Sequence, residues 1–300
     1  MDNPASTARV NTLGYVAFET PDVERLAAYY RDALGFQVVD VSPEAAYLSA
    51  DGEQHTVVIT RSESAAGRTR VGYRVDGALG DAERALRANG LEVERRSDTS
   101  PTETEVLVVH EPQTGVPIHL YDSSVAIAGV PDQPLPPVKL GHVAGYVPSL
   151  DRMQGFYQDL LGFRWSDTIG DFFVFMRCNT DHHAANFMKS DSAQGMHHIA
   201  YEMRDLDHLQ TMLDHLSKQD IRLHWGPGRH GPGHNVFTYH KDPDGNVIEL
   251  FTQLDRMDDA TGAWEPRPWH EESPQYPKTW EADLRLQNSW GPGNPEARRR

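Results

Sequence analysis

Apolar residues recur at helical spacing in two places along the chain, and each time a short alternating segment and a proline-containing turn come first. Residues 13–40 read LGYVAFETPDVERLAAYYRDALGFQVVD, and residues 140–167 read LGHVAGYVPSLDRMQGFYQDLLGFRWSD. The match makes them two copies of one unit: strand, turn, amphipathic helix, then a Leu-Gly-Phe exit into the next strand. Val23, Leu26, Ala27 and Tyr30 share the apolar face of the first helix; Leu150, Met153, Phe156, Tyr157 and Leu160 share that of the second. Asp22 and Ser149 are predicted N-caps, and Gly35 and Gly162 can end the helices in a left-handed turn.

Each half continues with a second strand and helix, VGYRVDG then ALGDAERALRANG in the first, HHIAYEMRD then LDHLQTMLDHLSKQ in the second. Each closes with a hairpin, VLVVHEPQTGVPIHLY or NVFTYHKDPDGNVIELF, with turn residues between the arms. The pattern predicts an α+β chain of four βαβββ units in two domains. The expected divisions are an N-terminal domain over 1–122, a Gly- and Pro-rich linker over 123–138 and a second domain over 139–254. Residues 255–300 lack periodicity but hold Trp264, Trp269, Trp280 and Trp290. Disordered segments are poor in aromatics, so this reads as an irregular arm packed on its own domain or on a neighbouring subunit.

Composition narrows the function. A formal charge of −16 argues against nucleic acid, because a phosphate-binding surface needs clustered Lys and Arg, and the one basic run is Arg298 to Arg300. No apolar run reaches the ~18 residues of a membrane span. The N-terminus has no signal-peptide pattern and Cys178 is the single cysteine, which together predict a cytoplasmic protein.

The chain holds 15 histidines, most of them after residue 140. A lone histidine on a strand is more often a surface or hydrogen-bonded residue than a ligand. Three residues in the second half nevertheless occupy related positions in repeated strands: His142, His198 and Glu249. Two imidazoles and one carboxylate form the ligand face of a non-haem iron oxygenase, leaving positions open on the ion. Glu249 interrupts VIELF, where an inward charge needs compensation. If Val247 and Glu249 point inward, a metal supplies it; in the opposite phase Glu249 is merely exposed. The first half carries Tyr15 in place of His142, His119 in place of Glu249 and, on a looser alignment, Arg70 in place of His198. A metal site is therefore expected in the second domain alone. His183, His230 in a glycine-rich loop, and Tyr239 are further candidates around it. His182, His197, His234 and His240 read as compatible with solvent-facing positions, and none is taken as a ligand.

The segments LGHVAGYVPSLDRMQGFYQDLLGF, HHAANF, MHHIAYEMRDLD and GRHGPGHNVFTYHKDPDGNVIELF, in this order, resemble the type I extradiol ring-cleaving dioxygenases of the vicinal-oxygen-chelate superfamily, over about residues 10–252. The resemblance implies the glyoxalase/bleomycin-resistance/extradiol dioxygenase fold. It implies Fe(II), with Mn(II) the second choice, held by His142, His198 and Glu249, and dioxygen and a small aromatic diol as reactants. His183 would act as acid, base or charge stabiliser, His230 would bond a substrate oxygen, and Tyr239 would hold the catecholate or assist ring closure. A homotetramer is implied as well. Family members that bind a carboxylated side chain use an arginine shortly before the loop histidine; Trp225 stands here instead, favouring a neutral catechol, although Arg222 and Arg229 lie nearby. Ring cleavage of a substituted hydroquinone is one alternative and metal-free small-molecule binding another. A glyoxalase would draw four ligands from paired units, and the first half offers no such set.

Overall fold

The computed structural model describes residues 7–52, 54–97, 100–124, 127 and 135–295. Most of the expected linker, at 125–126 and 128–134, and the basic run at 298–300 lie outside the described residues. Four βαβββ units follow one another, as the repeat predicts. The first is β1 (Val10–Thr20), α1 (Val23–Ala28), β2 (Gln37–Val41), β3 (Ala45–Ser49) and β4 (Val57–Arg61); the second is β5 (Ala66–Val75), α2 (Leu79–Ala88), β6 (Glu94–Ser97), β7 (Glu105–His110) and β8 (Pro117–Tyr121). The third is β9 (Lys139–Val147), α3 (Leu150–Gly155), β10 (Arg164–Ile169), β11 (Phe173–Arg177) and β12 (Ala185–Lys189); the fourth is β13 (Gly195–Glu202), α4 (Leu206–Lys218), β14 (Trp225–Arg229), β15 (Val236–Lys241) and β16 (Val247–Thr252). Three two-residue strands follow: β17 (Met257–Asp258), β18 (Ala263–Trp264) and β19 (Thr279–Trp280).

Each half forms one mixed sheet, ordered β2-β3-β4-β1-β5-β8-β7-β6 in the first and β14-β15-β16-β13-β9-β12-β11-β10-β19 in the second. In both, the first strands of the two units pair antiparallel at the centre, β1 with β5 and β9 with β13. The C-terminal arm is part of the second sheet, because β19 adds to β10 in parallel.

The capping chemistry is local. Asp22 accepts from the Arg25 amide and Ser149 from the Arg152 amide. Each helix then widens into a π-helical turn, Tyr29–Ala33 and Phe156–Leu160, before Gly35 (φ +76°) and Gly162 (φ +75°) end it in the left-handed region. The widened turns seat Tyr30 and Tyr157 in a core shared by both halves: Tyr30 packs 6.3 Å from Tyr201, and Tyr73 packs 6.3 Å from Tyr157. Between the halves the buried Arg68 guanidinium donates to Glu111 at 2.7 Å, and Glu111 also accepts the Tyr157 hydroxyl at 2.7 Å.

Three buried histidines away from the candidate ligands carry a consequence for stability. Burial pushes His55, His119 and His240 each down to about 3. The unfolded chain takes up their protons near pH ~6.5 whereas the folded chain resists until far lower, so stability present above that pH is lost as pH falls. The upper limit is about 1.4 kcal/mol per pH unit for each histidine. Urea unfolding of metal-free protein is expected to show a lower midpoint at pH 5.5 than at 7.5, and a shallower pH dependence for His240→Gln. An unchanged slope in that variant would contradict burial as the cause.

Candidate metal centre

Strand register brings the three predicted ligands together. In the β9–β13 pair His142 lies opposite Ala200, and in the β13–β16 pair Ala200 lies beside Glu249. Paired residues share a face of the sheet, and His198 is two residues before Ala200 on that same face. One strand further, Tyr239 lies opposite Glu249. A row across four strands, His142–Ala200–Glu249–Tyr239, thus carries the chemistry. Ile248 and Leu250 point the other way into the apolar core, so Glu249 has the inward phase beside Val247, which lines the same cavity.

His142 Nε2 is 3.0 Å from His198 Nε2 and 3.2 Å from Glu249 Oε2, and His198 Nε2 is 3.0 Å from Glu249 Oε2. Neighbouring ligands of an octahedral ion, each at about 2.1 Å, stand about 3.0 Å apart. The triangle therefore fits one face of such an ion, and these residues hold a divalent metal. All three side chains are buried. Burial alone would raise the Glu249 carboxyl, but the imidazoles of His142 and His198 outweigh it and hold the group well below the usual carboxylate range. Burial lowers His142. Asn235 Nδ2 donates to Glu249 Oε1 at 2.8 Å and the Tyr239 hydroxyl donates to Oε2 at 2.7 Å, fixing the carboxylate plane.

His183, just ahead of β12, packs its ring 4.3 Å from that of His142. Its Nδ1 is 2.8 Å from Nδ1 of His182, whose Nε2 is 2.9 Å from Asp167 Oδ2. Asp167 also accepts the Lys278 amide at 2.7 Å and the Trp280 indole at 2.8 Å. A carboxylate only accepts, so neutral His182 keeps its proton on Nε2 and its Nδ1 must accept; His183 then donates from Nδ1 and holds a lone pair on Nε2. Burial, with His142 and His182 adding to it, lowers His183 well below the ordinary histidine value.

His230 is ordered in the same manner by the arm. Its Nδ1 donates to the Gln287 carbonyl at 2.7 Å, and its ring stacks on Phe237 at 3.8 Å. Its Nε2 lies 3.2 Å from the Tyr239 oxygen, and with that hydroxyl proton on Glu249 the Nε2 lone pair is free to accept. Burial takes His230 down to about 4.

Three of the histidines read as compatible with solvent exposure are buried instead. His182 stands behind His183; His240 bonds the Tyr29 hydroxyl at 2.6 Å; His234 and His270 grip the two oxygens of Asp255 at 2.7 and 2.9 Å. His197 is half-buried. His234, Asp255 and His270 form a second group of metal-type ligands among the described residues, but its nitrogens bind opposite carboxylate oxygens and do not converge on one. It clamps the arm to the domain.

The metal face opens into a cavity of about 570 Å³. Ile169, Phe172, Phe173, Met188 and Leu286 give it an apolar wall, and Trp225 stacks on Tyr239 at 5.0 Å. Arg229 is turned away: its guanidinium lies 4.2 Å from Trp269 and 5.1 Å from Trp290 and donates to the His234 carbonyl. In the first half the same row reads Tyr15–Gly72–His119, with Arg70 opposite Ala17 as His198 is opposite Ala144. The looser alignment of Arg70 is thereby borne out. Tyr15 bonds His119 Nδ1 at 2.8 Å, and among the described residues this half has no metal-type cluster.

The chain belongs to the Glyoxalase/Bleomycin resistance protein/Dioxygenase superfamily, whose model matches residues 12–120 and 139–250. Within it the fold and the two-histidine, one-glutamate face make this chain an enzyme of the extradiol type. It is 27% identical over 303 residues to the manganese-dependent 2,3-dihydroxybiphenyl 1,2-dioxygenase of Geobacillus genomosp. 3, covering 91% of this chain and 94% of that one. It is 33% identical over 162 residues to metapyrocatechase 2 of Cupriavidus necator, covering 53% of this chain and 46% of that one. The Mn(II)-bound glyoxalase from Novosphingobium aromaticivorans superposes with a TM-score of 0.82 at 26% identity, covering 96% and 93% of the two chains.

Proposed function

We propose that this enzyme opens the ring of a neutral catechol bearing an alkyl or aryl substituent, with Fe(II) as the metal and Mn(II) the alternative. The observation that carries the reading is the three-ligand face in a cavity with an apolar, aromatic wall, with Arg229 directed elsewhere and Lys241 the cation among its lining residues. Bound there, the metal would supply Lewis-acid activation of the diol and redox contact between the ring and dioxygen. His142 and His198 would bind through Nε2 and Glu249 through Oε2.

The protein side of the chemistry follows from hydrogen positions. His183 Nε2 bears a lone pair beside the metal face, so it is ready to take a proton from a diol hydroxyl and to return it when the oxygen–oxygen bond breaks. His230 Nε2 accepts from the substrate's second polar edge. Tyr239, raised well above its ordinary value by burial and then by Glu249, stays a neutral donor. Leu286 and Gln287 bring the arm against the cavity, where it excludes water. Likeness to the family supports a homotetramer as the assembly, and the single, buried cysteine supports a reducing cytoplasm.

Anaerobic Fe(II) loading followed by oxygen and a panel of catechol, 3- and 4-methylcatechol, 2,3-dihydroxybiphenyl and homoprotocatechuate tests this. Oxygen uptake with a yellow product is expected for the neutral diols, and the carboxylated diol should react slowest. Preference for homoprotocatechuate would refute the neutral-pocket reading; turnover of hydroquinones alone would favour the other ring-cleavage chemistry. His230→Ala should keep its iron and lose about 10²-fold in kcat. Loss of bound iron in that variant would place His230 among the ligands.

A further inference from the structure

The first domain repeats the strands of the active half but places an arginine where the active half has a metal ligand. Arg70 holds the register position of His198. It lines a separate cavity of about 210 Å³ with His119, His110, Arg96, Thr69 and Glu19. Arg96 is neutralised by Glu94 at 2.6 Å. Arg70 makes no hydrogen bond or ion pair among the described residues, and its Nε is buried without a partner. Its guanidinium carbon stands 5.9 Å from the Tyr15 ring, the counterpart of His142.

The neighbours of Arg70 are arranged as donors. The Tyr15 hydroxyl can donate to His119 Nδ1 at 2.8 Å, and neutral His119 then carries its proton on Nε2. Burial and then the Arg70 charge push His119 down to about 3, so it is neutral in this form at physiological pH. Two carboxyls face the group. Glu19 is at the wall of the cavity; Glu103 is buried beside Tyr15, and burial raises it to about 7 against the opposing pull of the Arg70 charge and the Tyr15 hydroxyl. Neither lies within ion-pairing distance of Arg70.

We infer that this cavity of the first domain binds a small oxyanion, a carboxylate or phosphate of a few heavy atoms, through the Arg70 fork and His119 Nε2–H. A planar guanidinium matches such a group bidentately, and a half-buried one with no carboxylate in direct contact has a free fork to offer. The site is distinct from the metal centre and does not depend on the ring-cleavage reading.

Titration calorimetry of the iron-loaded enzyme with inorganic phosphate and with succinate, in a buffer free of other oxyanions, tests it. Saturable binding of at least one anion is expected, and the anion that binds identifies whether the phosphate or the carboxylate source is preferred. Arg70→Met should weaken it at least tenfold while iron content and catechol turnover stay at wild-type levels. Should Arg70→Met not fold, Arg70→Lys serves: it keeps the charge, loses the fork and should still bind several-fold more weakly. Absence of saturable heat with both anions overturns the site. So does binding that persists undiminished in the Arg70 variants, which would place the anion on the iron.

Discussion

Glu249→Ala is expected to purify as a folded protein that takes up no iron under anaerobic loading and turns over no catechol. The carboxylate is the sole anion of the three-ligand face and sits between two imidazoles at 3.0 and 3.2 Å, in a site where it is buried. Removing it leaves two neutral nitrogens and the charge of a divalent ion uncompensated in a buried site. The metal's contribution to the barrier is several kcal/mol, so at least about 10³-fold of kcat/KM should vanish with it. The first domain should stay folded, because neither its Tyr15–Val58–Tyr121 cluster nor its Arg68–Glu111 pair includes Glu249 or the groups bonded to it. Glu249→Gln is the control for packing: it can keep the bonds from Asn235 and Tyr239 to its amide oxygen in part, yet it lacks the charge. Elemental analysis and thermal unfolding of the two variants decide the matter. Iron occupancy equal to wild type in Glu249→Ala would remove Glu249 from the ligand set.

That assignment was legible in the sequence because it rests on a repeat and a period. The LGY and LGH copies fix which residues of the two halves correspond, and the period of two along VIELF leaves two phases for Glu249. The structure selects between them by burying both faces of β16: Ile248 and Leu250 enter the core while Val247 and Glu249 face the cavity. What the sequence could not show were the groups that set hydrogen positions. Asp167 and His182 are 15 residues apart, and Asp167 is held by Lys278 and Trp280, more than 100 residues on. Gln287 reaches His230 from the same aperiodic arm. An arm without periodicity gives no register from which to place such contacts. The one local signal was the adjacent pair His182–His183 after a strand-like run, and a segment without a period leaves the facing of His182 open to solvent or core. At that point the chain has left β11 and not yet entered β12, so both rings turn inward.

Asp167→Asn should therefore lower kcat by about 10²-fold or more while leaving iron content and KM near wild type. Asp167 Oδ2 accepts from both His182 and Trp280, and Oδ1 accepts the Lys278 amide. Asparagine has one acceptor to offer. With its amide nitrogen toward His182 and Trp280, the indole loses its acceptor, and the His182 ring must accept at Nε2 and carry its proton on Nδ1, so His183 accepts at Nδ1 and presents Nε2–H to the diol. A base in the wrong tautomer has no lone pair where the substrate proton is, and loss of general-base assistance costs about 10² to 10⁴ in rate. With the amide turned over, its NH₂ opposes the Lys278 amide and the arm loosens, which would show as proteolysis between residues 255 and 295. The two effects separate by measurement: nitrogen-15 spectra of the histidine rings report the tautomer of His183, and a KM-against-kcat split reports whether binding or chemistry has failed. A merely structural Asp167 would raise KM and lower the unfolding temperature with kcat preserved at saturating diol. Wild-type kcat in Asp167→Asn, with His183 still protonated on Nδ1, would show that the Asp167–His182 pair does not govern the ring proposed as the base.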